Sequence, residues 1–261
     1  MNESPVPALG APVVLVHGLC GFDRVVAFGR TLREYFPGIR QQLEAAGNTV
    51  LVPLLSCTMG VESRAGELKR YIERHVPTGP VHLIGHSMGG LDARFMISRL
   101  EMRDRVLSLT TVGTPHRGSP FADWGVRRFG RLAAPFFQLV GLSYQAFLDV
   151  TTAACRRFNA TVPDAPGVRY FSVAGACEGR WVCPEWRVPH GIVSEADGAN
   201  DGVVSVRSAA WGEHNDVWKG DHLNLVNWPN RYACREGIWP AFAPDYGSIL
   251  RRIASSLRHN R

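Results

Sequence analysis

The sequence predicts an α/β chain: a mostly parallel central sheet, helices packed on both of its faces, and a helical cap inserted over residues 120–150. Three observations carry that expectation. Short apolar runs of β character alternate with amphipathic segments along most of the chain, the rhythm of βαβ units. One such run, Val81-His82-Leu83-Ile84, passes directly into Gly85-His86-Ser87-Met88-Gly89-Gly90 and then into an amphipathic segment over 91–100, which reads as strand, sharp turn and helix. Residues 120–150 interrupt the rhythm with Phe121, Trp124, Phe129, Phe136, Phe137, Phe147 and Leu148, interspersed with Arg127, Arg128 and Arg131.

The elements follow in order. Residues up to about Gly10 form an arm rich in proline and alanine. Residues 12–16 are a continuous apolar run, as expected of a strand buried on both faces, and end in the glycine-containing loop His17-Gly18-Leu19-Cys20-Gly21-Phe22-Asp23. Residues 32–46 read as a helix stopped by Gly47-Asn48, with Pro37 favouring a start after it. A short strand follows at 49–53. Val61, Ala65, Leu68, Ile72 and Val76 then recur at helical spacing until Pro77-Thr78-Gly79-Pro80. Beyond the Ser87 turn and its helix, strands are expected at 106–112, 168–174 and 203–206. Helices are expected near 152–158 and, with Ile249, Leu250, Ile253 and Leu257 on one face, at the end of the chain.

With 261 residues, 45% hydrophobic and 20% charged, the chain can bury the core of one domain spanning 1–261. No apolar run approaches the ~18–20 residues of a membrane span, so no integral membrane segment is expected. The formal charge of +6 comes from scattered arginines without interleaved aromatic residues. That pattern argues against nucleic acid and fits a mild attraction to anionic lipid or substrate surfaces. Six cysteines in a chain of this length do not make a disulfide scaffold. Cys177 and Cys183 could close a small loop, whereas Cys20, Cys57, Cys155 and Cys234 lack metal-ligand spacing and read as free thiols. The stretch Met1-Asn2-Glu3-Ser4-Pro5-Val6-Pro7 shows neither a basic nor an apolar leader region. The expectation is a cytoplasmic protein, or one exported without a leader or with its leader removed.

Ser87 at the apex of a strand–helix turn is presented above the sheet on the positive end of a helix, and the tight turn leaves no room for side chains at Gly85 and Gly89. A serine is a weak nucleophile at neutral pH and needs a base, which in turn needs an orienting carboxylate. His222, in Gly220-Asp221-His222-Leu223-Asn224, follows the last expected strand, where a base belongs; His214 is the alternative. Asp201, in Asn200-Asp201-Gly202, is the first choice for the acid and Asp197 its rival. Asp92 and Asp104 read as solvated helix residues. An oxyanion would meet the backbone N–H groups of Met88 and Leu19. His17 would brace the loop after the first strand without titrating, and His86 would pack beside Ser87.

Taken together, Gly18 to Asp23, Gly85 to Gly90, Gly113-Thr114-Pro115-His116-Arg117-Gly118-Ser119, Asn200-Asp201-Gly202-Val203-Val204 and His222-Leu223-Asn224 resemble the bacterial true lipases. These are the triacylglycerol lipases of the Pseudomonas, Burkholderia and Proteus type. The resemblance runs in consistent order over residues 12–228. It implies an α/β-hydrolase fold, ester hydrolysis through an acyl-enzyme and a helical lid, with Ser87, Asp201 and His222 as catalytic residues and Leu19 and Met88 as the oxyanion hole. In that family an aspartate two residues past the catalytic histidine helps bind structural calcium, together with a nearby glutamine. Here those positions are Asn224 and Trp228, so no metal and no cofactor is expected. The expected substrate is an acylglycerol or another hydrophobic ester, with transient contact with lipid surfaces as a further expectation. A thioesterase or a polyester hydrolase would use the same three residues, and an inactive hydrolase fold serving as a binding module is the reading from outside enzymology.

Overall fold

The structure, a computed structural model, describes residues 5–19, 24–27, 30–56, 59–130 and 144–258. Six parallel strands form the central sheet: β1 (Val13–Val16), β4 (Val50–Leu51), β5 (Val81–His86), β6 (Val106–Val112), β7 (Arg169–Ala176) and β8 (His214–Lys219), in the spatial order β4-β1-β5-β6-β7-β8. The chain first moves outward from β1 to β4, then crosses back over β1 to β5 and proceeds to the other edge. The winding direction therefore reverses between β1 and β5. In open parallel sheets such a reversal leaves a crevice at the carboxyl ends of the two strands, because their outgoing loops diverge. Residues 17–19 leave β1 there, and Ser87 leaves β5.

Period-two alternation sends β1 side chains to two separate cores. Val13 and Leu15 pack with Ile84, Val112 and Val173 against Ile39 and Leu43 of α1 (Ile39–Ala45) and Ile249, Leu250 and Ile253 of the C-terminal helix Tyr246–Arg258. Val14 and Val16 pack with Val81 and Leu83 against Ala65, Leu68 and Ile72 of α2 (Val61–His75) and Ala93, Met96 and Ile97 of α3 (Met88–Arg99). Each fully buried aliphatic side chain contributes about 1.5–3 kcal/mol by leaving water, which is why the central strands are apolar on both faces.

Several expectations are corrected. β2 (Arg24–Ala27) pairs antiparallel with β3 (Arg30–Glu34), so the helix expected over 32–46 occupies only Ile39–Ala45, after Pro37. Residues 203–206 are not a strand. Val203 and Val204 donate their N–H groups to Asp201 Oδ1 (3.0 and 2.8 Å), closing a turn that leads into the helical turn Val206–Ala209. The edge strand is instead β8, whose alternate residues are exposed, so it lacks the apolar run that betrays buried strands. Within the 120–150 insertion lie α4 (Pro120–Phe129) and α5 (Tyr144–Asp149), followed by α6 (Thr152–Thr161). Phe136 and Phe137 fall outside the described residues, as do Cys20 and Cys57. The remaining four cysteines are free thiols, so Cys177 and Cys183 do not close a loop. Among the described residues no helix is long and apolar enough to cross a membrane.

Candidate active site

β5 delivers Ser87 at φ 53°, ψ −131°, a conformation that costs a residue with a side chain about 1–3 kcal/mol. The surroundings hold it there. Ser87 N–H donates to Val112 O of the adjacent strand (2.9 Å), while Ser87 O accepts from Gly90 N–H (3.1 Å) and from Thr114 Oγ1 (2.7 Å). A Cβ at Gly85 would lie 2.8 Å from Gly90 Cα, and one at Gly89 would lie 2.6 Å from Val16 O. Strand, helix and the β1 end are thus too close for any side chain at these two positions.

The expected base and acid come together. His222 Nδ1 donates to Asp201 Oδ2 at 2.7 Å, and His222 N–H donates to Asp201 O at 2.7 Å. Asp201 is fully buried, and its other oxygen is held by the Val203 and Val204 amides, so the carboxylate is fixed at both oxygens. Ser87, Met88, Leu19 and His222 all line one cavity of about 500 Å³. The rest of its wall is largely apolar, with Phe121, Trp124, Phe129 and Phe147 from the cap and Val203 and Trp228 opposite. Neither alternative reaches this site. His214 sits on β8 with its ring against Asp216 (3.0 Å). Asp197 accepts from Ser205 Oγ (3.1 Å) at the end of the helix Arg187–Asp197.

One histidine does what the sequence suggested, and another does more. His17 donates from Nδ1 to Gly18 O (2.9 Å) and accepts Leu55 N–H at Nε2 (2.9 Å); burial pushes its pKa down to about 4, so it braces the loop as a neutral ring. His86 is not merely packed beside Ser87. Its Nε2–H donates to His222 O (3.1 Å), which makes Nδ1 an acceptor for the Tyr35 hydroxyl (2.8 Å). Tyr35 in turn accepts Gly18 N–H (3.1 Å). One chain of hydrogen bonds therefore joins the loop after β1, the Ser87 turn and the His222 loop. Burial holds His86 well below the ordinary histidine range and keeps it neutral, as this polarity requires.

Asp92 is a correction: it is fully buried and pairs with Arg64 Nε at 2.8 Å, with burial lifting its pKa to about 7 against the pull of the guanidinium. Arg64 also donates to His17 O (2.7 Å) and Ser56 O (2.6 Å), tying α2 and α3 to the loop beside Ser87. Asp104, by contrast, is solvated as expected.

The calcium-binding positions of the resembling family do not fit a cation here. Asn224 Oδ1 accepts Asp221 N–H (2.8 Å) and its amide donates to Trp228 O (3.0 Å), while the Trp228 indole donates to Tyr35 O (3.1 Å). A carboxylate ties the loop instead. Asp221, fully buried, accepts Leu223 N–H and Asn224 N–H (both 3.1 Å) at one oxygen, and Asn230 Nδ2 (3.1 Å) and Cys183 N–H (3.4 Å) at the other. Sequence reasoning missed this role and that of Tyr35. The signal for Asp221 was present, an aspartate two and three residues ahead of amides it can cap. Tyr35 lies in no motif.

The sheet order, the turn at Ser87 and the histidine–carboxylate pair define the α/β-hydrolase class. Residues 67–227 match the family described as PGAP1-like alpha/beta domain. The chain is 37% identical over 263 residues to a triacylglycerol lipase of Pseudomonas fragi, covering 83% of this chain and 87% of that one. It is 30% identical over 268 residues to triacylglycerol lipase 2 of Saccharomyces cerevisiae, covering 84% and 81%. In fold it is similar to the crystal structure of mature Bacillus licheniformis lipase BlEst2 (TM-score 0.67, 22% identity, 93% of this chain and 94% of that one). The chain belongs to the lipase family of the α/β-hydrolase superfamily and is a carboxylic-ester hydrolase.

Proposed function

We propose that the protein hydrolyses acylglycerols or comparable hydrophobic esters through an acyl-enzyme on Ser87, with His222 as base and Asp201 as its orienting acid. The observation that carries this reading is the 2.7 Å His222–Asp201 hydrogen bond at the edge of an apolar cavity that also holds Ser87. Asp201 accepts a hydrogen bond from the N–H at His222 Nδ1, which leaves Nε2 as the basic nitrogen facing the cavity. Ser87 Oγ attacks the ester carbonyl carbon and Nε2 takes its proton. The negative oxygen of the tetrahedral intermediate meets the N–H groups of Leu19 and Met88, supported by the positive end of α3. The carbon–oxygen bond to the alcohol breaks, and Nε2 returns the proton to the departing oxygen. Water, deprotonated by the same nitrogen, then attacks the acyl carbon; the bond to Ser87 Oγ breaks, Nε2 returns the proton to Oγ, and the acid is released. The aromatic wall from α4 and α5 supplies a site for the acyl chain.

A panel of p-nitrophenyl esters from short to long acyl chains, run beside matching thioesters and emulsified triglyceride, tests this. The expected result is turnover of the oxygen esters, with kcat/KM rising into medium or long chains as the cavity fills. Thioesters turned over faster than their oxygen counterparts would move the protein to the thioesterases, and no turnover of any ester would leave only a binding role.

A further inference from the structure

A second cavity, of about 430 Å³, shares no residue with the first, and every residue that lines it carries a polar side chain. Three of them are arginines, Arg117, Arg156 and Arg207, and the single carboxylate among them is Asp197. Near neighbours along the chain line one cavity or the other. Ser119 and Val203, joined by a hydrogen bond from Ser119 Oγ to Val203 O (2.6 Å), face the acyl cavity. Ser208, which donates to Gly118 O (2.6 Å), faces the arginines.

Most polar groups of this second cavity already have partners. The Asn159 amide donates to His116 O (2.8 Å) and its oxygen accepts Arg94 Nη1 (2.8 Å). Thr152 spends both its N–H (3.0 Å) and its hydroxyl (2.6 Å) on Asp123. Arg117 Nη1 donates to the carbonyls of Arg207 (2.9 Å) and Ala210 (2.5 Å), which fixes that guanidinium without neutralising it. Arg207 approaches Asp197 only at 3.7 Å. Arg156 has no hydrogen bond or ion pair among the described residues. Three cations thus converge on one concavity against one carboxylate, leaving an excess of two positive charges.

We propose that this cavity binds a phosphate group. A dianion balances the excess charge, and planar guanidinium forks match phosphate oxygens in pairs. A fatty-acid carboxylate fits less well, since it brings one charge to a cavity whose excess is two. The phosphate can arrive on a small soluble ester or on the headgroup of an acidic phospholipid at the surface where the enzyme works.

Titration calorimetry with inorganic phosphate at low ionic strength, and sedimentation with phosphatidylcholine vesicles with and without phosphatidic acid, test the assignment in two arms. The expected result is saturable binding that Arg156→Gln and Arg207→Gln each weaken at least tenfold, while Arg103→Gln, at an exposed arginine before β6, leaves it intact. Hydrolysis of a short soluble ester stays unchanged in all three. Binding of free phosphate assigns a soluble ligand, and binding only of phosphatidic acid vesicles assigns a headgroup. No saturable binding in either arm, or binding weakened no more by Arg156→Gln and Arg207→Gln than by Arg103→Gln, overturns the proposal.

Discussion

Asp197 and Asp201 are four positions apart, and only one can steady an imidazolium on His222. Asp201 is buried, held by two backbone amides and bonded to His222 Nδ1 at 2.7 Å, whereas Asp197 faces Ser205 and Arg207. Asparagine at the acid position would hold the imidazole in the wrong tautomer. In serine proteases with the same trio, that change lowers turnover about 10⁴-fold. Asp201→Asn should therefore lose several orders of magnitude in kcat while staying folded, and Asp197→Asn less than about tenfold, ~1.4 kcal/mol. The reverse pattern would remove Asp201 from the mechanism. Tyr35 gives a second contrast at the same scale. Tyr35→Phe keeps the ring but leaves Gly18 N–H and His86 Nδ1 without the hydroxyl, each a buried polar group worth about 1–3 kcal/mol when orphaned. Steady-state kinetics should show kcat falling about 10–100-fold with KM little changed, since the loop beside Leu19 loosens while the acyl wall stays. A shift in KM alone would mean that Tyr35 contacts substrate rather than positioning the loops.

At the scale of elements, what could be read from the chain depended on whether the signal was local. The strands carrying Ser87 and the 113–119 loop are buried on both faces, rich in apolar and β-branched residues and bounded by glycine or proline, so their local pattern found them. β8 escaped because an edge strand alternates exposed and half-buried residues, and Val203-Val204 took its place in the reading although they serve an aspartate-capped turn. His222 nevertheless follows the true last strand closely, and its ring meets Asp201. Tyr35 and Arg64 act across sequence separations that no local pattern records. The loop around His222 illustrates the consequence. Asp221 and Asn224 knit it internally, so dialysis against a chelator should leave ester turnover and Tm unchanged; a large loss restored by added calcium would show a cation site after all. The cap makes a different demand. α4 and α5 present Phe121, Trp124, Phe129 and Phe147 to the acyl cavity, a surface that pays little to be covered by lipid or substrate. Activity on a sparingly soluble ester should rise sharply past its solubility limit, and a smooth hyperbola through that limit would remove the lid from the mechanism.

For the molecule as a whole, the buried titratable groups set how stability depends on acid. His17, His82, His86 and His116 are all buried, and burial is the first cause that lowers each pKa, to about 4 for His17 and His82 and well below the usual value for the other two. Each stays neutral in the folded chain where the unfolded chain would be protonated, so its contribution is complete above about pH 6.5 and is lost as pH falls below it. Two carboxylates act in the opposite sense. Asp92, lifted to about 7, and Asp221, also raised by burial, hold protons in the folded chain that the unfolded chain releases above about pH 4, so their contributions shrink as pH rises. Four histidines outnumber Asp92, the carboxylate lifted to about 7, so unfolding takes up a net two to three protons, on the order of 3 kcal/mol of stability lost per pH unit between about pH 6 and 5. Urea unfolding at several pH values measures that slope directly. His82 gives the cleanest single test: its ring lies away from the Ser87 loop, bonded to Ser108 Oγ at 2.8 Å with Nε2 unpartnered. His82→Leu should make the slope shallower by about one proton, ~1.4 kcal/mol per pH unit, whatever its effect on stability at pH 8. An unchanged slope would mean that His82 is not held neutral by the fold and that the acid limb is set elsewhere.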